Sequence, residues 1–311
     1  MSILTLLIDK KPVAFISAEL TYDIEQLAHT FRCTIEPTVI NRPLSVEFKL
    51  DGKRIFSGAI DNASTSTQTS SYSMDISGRS KSANMIDSRI TMDAQYGQSL
   101  EVLLRSIAKD FGLTVNSLVN TKLVEEFQIN AESPVDNLSQ LVKEQGFILV
   151  ERDGVLTIEN PAHAAVSGAS LEVGLNISAL NLERNFTNQF YHIEVQGQWD
   201  DAHATVTYAP ANTMRKTVFV CDQLQSAEAC QSRAQYERSL AIAKGLNASV
   251  SIDDVMDVFT GSAINRTIRV IDQYQSFNET LLIKSVSISV DDSSTKTSLT
   301  LFRPFAETSH V

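Results

Sequence analysis

Apolar and polar positions alternate along the first ninety residues in short runs, each closed by turn-forming residues. The runs Ile3 to Ile8, Ala14 to Tyr22, Thr30 to Ile35, Leu44 to Leu50, Arg54 to Ala63 and Ser71 to Ser77 predict six strands. Asp51-Gly52 is the clearest hairpin turn, because both residue types tolerate positive φ. The Ser/Thr-rich stretch Ser64 to Ser71 lies between two strand patterns and predicts a long hairpin tip rather than a linker. Six strands with no long helix among them predict a partly open barrel or sandwich over residues 1–92.

The period then lengthens. Leu100, Leu103, Leu104, Ile107, Ala108 and Phe111 recur at helical spacing behind Ser99, a good N-cap, and Gly112 is the stop. A second helix opens on Ser133, Pro134 and Asp136, carries Val135, Leu138, Leu141 and Val142 on one face, and ends at Gly146. Phe147 to Glu151 and Val155 to Glu159 flank Arg152-Asp153-Gly154 and predict strand, tight turn, strand, closed by Pro161. Residues 93–165 thus predict a small α+β module, within which Ala131 to Pro161 has every boundary marked and no catalytic residue, a scaffold. Ala162 to Ala169, small and polar, predicts a linker.

Residues 166–311 are strand-rich again, including Tyr191 to Gln196 and Ala204 to Tyr208, around an inserted helix at about 227–244 with Ser226 as cap and Gly245 as stop. Ala229, Tyr236, Leu240 and Ala243 share one face of that helix, while Glu228, Arg233, Glu237 and Arg238 form a polar one, so it should lie on another element rather than pass through a core. Part of this C-terminal region is a candidate to complete the first barrel. One internal echo stands out. Ile55 to Ile60, a Ser/Thr-rich connection and Tyr72 to Ile76 with Gly78-Arg79 match Leu281 to Val290, Asp291 to Lys296 and Ser298 to Phe302 with Arg303-Pro304. It is either a duplication or the ordinary likeness of two hairpins.

With 311 residues, 43% hydrophobic and 20% charged, the chain has the make-up of a folded protein of two or three domains. A net charge of -11 and a pI near 5.0 argue against a general nucleic-acid binder, which needs clustered Lys and Arg. Ile3 to Ile8 is too short for a signal peptide and no run approaches a membrane span, so synthesis and retention in a cytoplasm are expected. Cys33, Cys221 and Cys230 are too few for a disulfide framework, and Cys230 should be packed within its helix.

Enzyme signatures are missing: there is no HExxH, Gly-rich phosphate loop, GxSxG elbow or CxxC pair. Asp200, Asp201 and His203 could gather oxygen and nitrogen ligands but read better as a solvated turn; Asp253, Asp254 and Asp257 lack the Gly and terminal Glu of a calcium loop. No metal or cofactor is expected. His29, His163, His192 and His310 have no sequence-local Ser or Cys partner. Trp199 with Phe190, Tyr191 and Tyr208 could stack on sugars or bases, although alternating aromatics more often fill a core. Gly78, Arg79 and Asp87 are the more interesting group. Glycine permits close approach at a strand end, and an Arg79–Asp87 pair would fix the exit from the first domain.

The run Ile76-Ser-Gly-Arg-Ser-Lys-Ser-Ala-Asn-Met-Ile-Asp87, then Glu132-Ser-Pro134 with Leu138, Leu141 and Gly146, the helix Ala227 to Gly245, and the ending Leu281-Leu-Ile283 to Leu301-Phe-Arg-Pro304 resemble, in order, the baseplate hub proteins of Mu-like contractile bacteriophages and prophages. The family often has Asp-Cys at Asp87-Ser88 and an acidic or Pro-Asp end at Arg303-Pro304-Phe305. The resemblance implies an α+β, mainly β fold: two similar β-barrel-like domains, a small α/β module and a long helix, as in phage tail hubs and type VI secretion spikes. It also implies a homotrimeric ring adapting the sixfold tail tube to the threefold central spike. Baseplate wedge proteins would be further partners, DNA would pass only in transit through the lumen, and no membrane insertion would occur. The site would be the virion tail baseplate, after assembly in the bacterial host cytoplasm. Gly78, Arg79, Asp87 and Arg303 are the expected structural or interface residues, and no enzyme activity is implied. The competing reading is a tail-associated cell-wall-binding or cell-wall-degrading protein, for which two carboxylates about 5 to 10 Å apart in a cleft would be needed. A carbohydrate-binding fibre tip would require an exposed Trp199.

Overall fold

The structure, a computed structural model, describes residues 3–67, 69 and 72–304. Part of the Ser64 to Ser71 tip, Phe305 and His310 lie outside the described residues. The first stretch contains β1 (Leu4–Ile8), β2 (Lys11–Val13), β3 (Phe15–Asp23), β4 (Thr30–Ile35), β5 (Ser45–Leu50), β6 (Lys53–Thr67), β7 (Tyr72–Ser80) and α1 (Ala83–Asp87). The middle contains β8 (Ile90–Ser99), α2 (Leu100–Ala108), β9 (Thr114–Ser117), β10 (Leu123–Glu132), α3 (Pro134–Glu144), β11 (Ile148–Arg152) and β12 (Val155–Glu159). The remainder contains β13 (Ala164–Glu172), β14 (Ala179–Arg184), β15 (His192–Gln196), β16 (His203–Thr207), β17 (Lys216–Val220), α4 (Ala227–Ala243), β18 (Leu246–Ile252), β19 (Arg266–Asp272), β20 (Phe277–Val290) and β21 (Thr295–Phe302).

Strands from both ends of the chain join one 13-stranded sheet, whose main path runs β14-β18-β21-β20-β3-β4-β7-β6-β5-β1-β2, with β19 on β20 and β13 on β19. The join is β3 against β20, antiparallel from Asp23↔Ser285 to Ala18↔Val290. One apolar core serves both ends, from Leu6, Phe31 and Phe56 to Leu246, Val270 and Leu301. Both predicted Asp-Gly turns hold: Asp51 and Gly52 at φ 48° and 82°, Asp153 and Gly154 at 53° and 83°, the left-handed pair a two-residue hairpin requires.

The middle unit packs α2 and α3 with Phe127, Leu156 and Ile158 into a separate core, backed by β11-β12-β9. Ser99 accepts from the Val102 N–H at 3.4 Å and caps α2 as expected. Ser133 holds the N-cap position of α3 but does not cap it: its hydroxyl donates to the Ile86 carbonyl at 3.1 Å, fastening the helix start to α1. Small polar residues from Ala162 to Ala169 form no linker, because Ala164 and Ala165 pair in parallel with Arg266 and Thr267 and place this stretch in β13. Further on, β15, β16 and β17 form a three-stranded sheet under α4. Ser226 caps α4 as expected. Gly245 is not a left-handed stop: its φ is not positive, and a Cβ there would meet chiefly the movable amide end of Gln189. Nor is Arg233 on a polar face. It is buried on α4, its Nε 2.7 Å from Glu237 Oε1, because the helix is sandwiched between the β15-β16 sheet and α3.

Candidate assembly surfaces and buried junctions

The echo seen in the sequence is a repeat in hydrogen-bonding register. In the first half Ile60 pairs with Gly78, Asp61 bulges out, and Asn62 pairs with Ser77; in the second Ile283 pairs with Leu301, Lys284 bulges out, and Ser285 pairs with Thr300. The neighbouring strand follows. Thr30↔Arg79 to Ile35↔Met74 between β4 and β7 corresponds pair for pair to Asn247↔Phe302 to Ile252↔Thr297 between β18 and β21. One strand further out, Thr34 takes Ser17 and Phe31 takes Leu20, while Ser251 takes Ala179 and Ala248 takes Leu182. Thus β4, β6, β7 and β3 correspond to β18, β20, β21 and β14. In this register the counterpart of Arg79 is Phe302; Arg303 lies one residue beyond, because the bulge and not the arginine fixes the alignment.

Side-chain volume is exchanged within the shared frame. Phe31 faces Gly78 where Ala248 faces Leu301. A Cβ at Gly78 would enter the van der Waals shell of the Ala59 carbonyl and lie 2.8 Å from the Phe31 ring. Phe31, Phe48 and Phe56 fill that end of the core, Phe56 edge to face with the other two and Phe31 tilted against Phe48, with centroids 5.5–6.1 Å apart.

Arg79 leaves β7 as a clamp. Its Nε donates to Asp61 at 2.7 Å and its two terminal nitrogens to both oxygens of Asp87 at 3.0 and 2.6 Å, tying the bulge to the end of α1. The guanidinium holds the Asp87 carboxyl below its usual range, and Asp87 and Asp61 in turn raise the pKa of Arg79. Arg303 makes a looser contact, 3.4 Å to Glu279.

Sequence reasoning missed the two buried carboxylates of the β11–β12 hairpin, which bolt the middle unit to both halves of the sheet. Glu151 accepts from the Ser80 and Ser82 hydroxyls and from the Gly154 N–H at 2.6 Å, and its backbone carbonyl contacts His29 Nε2 at 2.8 Å. Glu159 is fully buried and meets Arg152 at 2.6 Å, Asn265 at 2.8 Å and Arg266 at 3.2 Å. Burial pushes the Glu159 carboxyl up, but the bonds and charges of Arg152, Asn265 and Arg266 outweigh it and leave it below the usual range. The only sequence signal was a Glu ending each strand of an otherwise apolar hairpin.

Ser, His and Glu near Ser80 do not form a nucleophilic site, since the hydroxyls donate to Glu151 and His29 contacts a backbone carbonyl. A cavity of about 250 Å³ between the β3–β4 connection, α3 and α4 is lined by Glu25 and Glu237. Both are paired, Glu25 with Lys244 and Lys284 and Glu237 with Arg233. Asp200, Asp201 and His203 lie around a turn, where His203 Nδ1 is 3.2 Å from the Asp200 carbonyl. Asp253 and Asp254 are tied to Ser178 and to the Val255 N–H. Among the described residues no three His, Cys, Asp or Glu side chains gather at one point. Trp199 is 58% exposed in its turn, not core, so it meets the exposure a sugar-binding tip would need. All three cysteines are buried and free, with burial pushing the Cys33 thiol up to about 12.

A sheet made of two register-matched halves, with a helical unit bolted between them, defines the class of phage-tail hub folds. A prophage MuSo2 43 kDa tail protein from Shewanella oneidensis has the same fold, with TM-score 0.84, 22% identity, and 97% of this chain and 98% of that one covered. A tail protein from Neisseria meningitidis matches with TM-score 0.82, 16% identity and 97% and 96% coverage. An Escherichia coli type VI secretion component matches at 0.64, with 13% identity, 97% of this chain and 77% of that one. By sequence, the chain belongs to the family whose model is described as the Alg8 N-terminal domain, matched over residues 43–244. It is also 23% identical over 228 residues to the baseplate hub protein gp44 of Escherichia phage Mu, covering 66% of this chain and 60% of that relative. No helix is long and apolar enough to cross a membrane among the described residues.

Proposed function

We propose that the protein is a structural baseplate hub of a contractile phage tail, non-enzymatic, three copies of which form a ring between the sixfold tail tube and the threefold central spike. The register-matched repeat carries this reading. One chain with two equivalent halves gives three copies six equivalent positions around an axis, which is what an adaptor between sixfold and threefold partners needs. The tail-protein folds and the likeness to gp44 support it. The two halves then act as barrel-like domains of the ring, the middle unit lies outside them, and wedge proteins complete the baseplate of the virion after assembly in the host cytoplasm. DNA crosses the lumen without binding, helped by acidic residues such as Asp253, Asp254 and Asp257; a lumen lined with Lys and Arg would contradict that part.

Light scattering with negative-stain class averages tests the reading. A mass of three times 34.3 kDa and an open ring are expected. A single-copy mass together with digestion of purified cell walls in zymography would replace it with a tail-associated wall-degrading protein.

A further inference from the structure

The repeat is matched strand for strand, yet its two long strands are covered differently. The distal half of β20, Ser285 to Val290, pairs with β3 on the side away from β21. Its counterpart in β6, Asn62 to Thr67, pairs only with β7 among the described residues; the pairing with β5 ends at Ala59, and every residue from Asp61 to Thr67 is exposed. At the other end of the sheet β14, the counterpart of β3, pairs only with β18 among the described residues. The chain therefore carries one completed junction and the two separated halves of a second. Neither the open segment of β6, Asn62 to Thr67, nor β14 has the proline or lysine by which proteins commonly protect a solvent-facing edge.

We propose that β14 of one copy adds antiparallel to the distal half of β6 of a second copy, reproducing between chains the junction that β3 and β20 make within one. This rests on the trimeric reading above and specifies its contact. Transferring the internal register, Val286↔Tyr22 to Val290↔Ala18, gives Ala63↔Arg184, Ser64↔Glu183, Thr65↔Leu182, Ser66↔Asn181 and Thr67↔Leu180. Leu180 and Leu182, already packed on the sheet's core, continue that core toward Thr65 and Thr67.

Two further positions test the transfer, and one of them fits. In the internal junction the bulged Lys284 faces Asp23, 3.7 Å away, and Glu25, 2.8 Å away. Between copies the bulge carries Asp61, already held by Arg79, and the counterparts of Asp23 and Glu25 are the uncharged Asn185 and Thr187, so this ion pair is not repeated there. Just past β3, Ile24 donates its N–H to the Lys284 carbonyl at 2.9 Å and packs against Leu282 and Phe302. Its counterpart just past β14 is Phe186, 63% exposed in the single chain. The transfer sets it over Ala59 and Arg79 of the next copy, an apolar ring on a clamped guanidinium. Because the contact joins unlike surfaces, it propagates head to tail and closes only in a ring.

Disulfide trapping tests the register. A Ser64→Cys/Glu183→Cys variant places two exposed thiols directly opposite across the contact, while a Ser66→Cys/Glu183→Cys control separates them by a diagonal of roughly 7–8 Å. Mild oxidation should give covalent species of two and three times 34.3 kDa for the first, formed at least about tenfold faster than in the control. Co-expressed single variants should stop at twice the chain mass. Three-copy protein by light scattering that gives no cross-link, equal rates in both variants, or a bond within one chain would overturn the edge pairing and leave the trimer standing. A single-copy mass would overturn both.

Discussion

The two halves of the sheet share a frame and differ in what fills and covers it. Both have a bulge at the same rung and six corresponding pairs along the next strand. In one half glycine faces phenylalanine; in the other leucine faces alanine. Core volume is thus conserved across a strand pair rather than at a position, as expected where total volume is constrained more tightly than residue identity. Coverage is the second difference. The long strand of the second half is completed within the chain and that of the first is not, so equivalence of backbone does not bring equivalence of surroundings. In the proposed ring the missing neighbour is another copy.

The largest effect should come from the bolt holding the middle unit to the second half. Glu159→Ala leaves Arg152 and Arg266 without their buried partner and should lower the unfolding free energy by about 3–5 kcal/mol, measured by urea denaturation. Because the folded pKa of Glu159 is depressed, its contribution is complete above the unfolded carboxylate range and is lost as pH falls through the lower folded value. In the variant that part of the acid sensitivity should disappear. A variant as stable as the parent would mean that the two halves are held by the sheet alone.

Gly78→Ala sharpens the contrast in filling. The new methyl meets a backbone carbonyl that cannot rotate away, so a loss of about 1–3 kcal/mol is expected, whereas Leu301→Ile at the corresponding rung should cost less than about 1.5 kcal/mol. Equal losses would show that the glycine is incidental. Next in size is Glu144, on the face of α3 toward the α4 cap, a region with no counterpart in the first half. Burial raises its carboxyl from 4.5 to about 7. Over that interval the unfolded chain has already released the proton that the folded chain retains, so stability falls as pH rises. Glu144→Gln should flatten the fall by on the order of 1 kcal/mol in thermal melts at pH 5 and 8; an unchanged slope would contradict the assignment. Arg79→Ala should change single-chain stability by less than about 1 kcal/mol, since its ion pairs are solvent-facing, but weaken assembly. Unfolding and dilution-dissociation curves separate the two effects.

Much of this frame was legible in the sequence because its signals are local. Alternation marked β3 to β7, Asp51-Gly52 and Asp153-Gly154 supplied the left-handed turns, and Ser99 and Ser226 capped the helices as read. What sequence hid depends on distant partners. Ser133 spends its hydroxyl on Ile86, and Arg233 is buried because α3 and the β15-β16 sheet enclose α4. The small residues Ala164 and Ala165 become strand only beside β19. Glu151 and Glu159 look like ordinary strand ends until Ser80, Ser82, Asn265 and Arg266 arrive from residues far along the chain. Arg79 and Asp87 were legible as a pair eight residues apart, whereas the bulge that makes Phe302 the counterpart of Arg79 is a property of pairing and has no residue signature.

Pairing of the two open edges between copies stands or falls on amide hydrogen exchange of the assembled protein over residues 62–67 and 179–184. Both segments should be slowed together at assembling concentrations and should lose that protection together on dilution to single chains. Rapid exchange in both segments of protein whose mass is three copies would contradict the pairing.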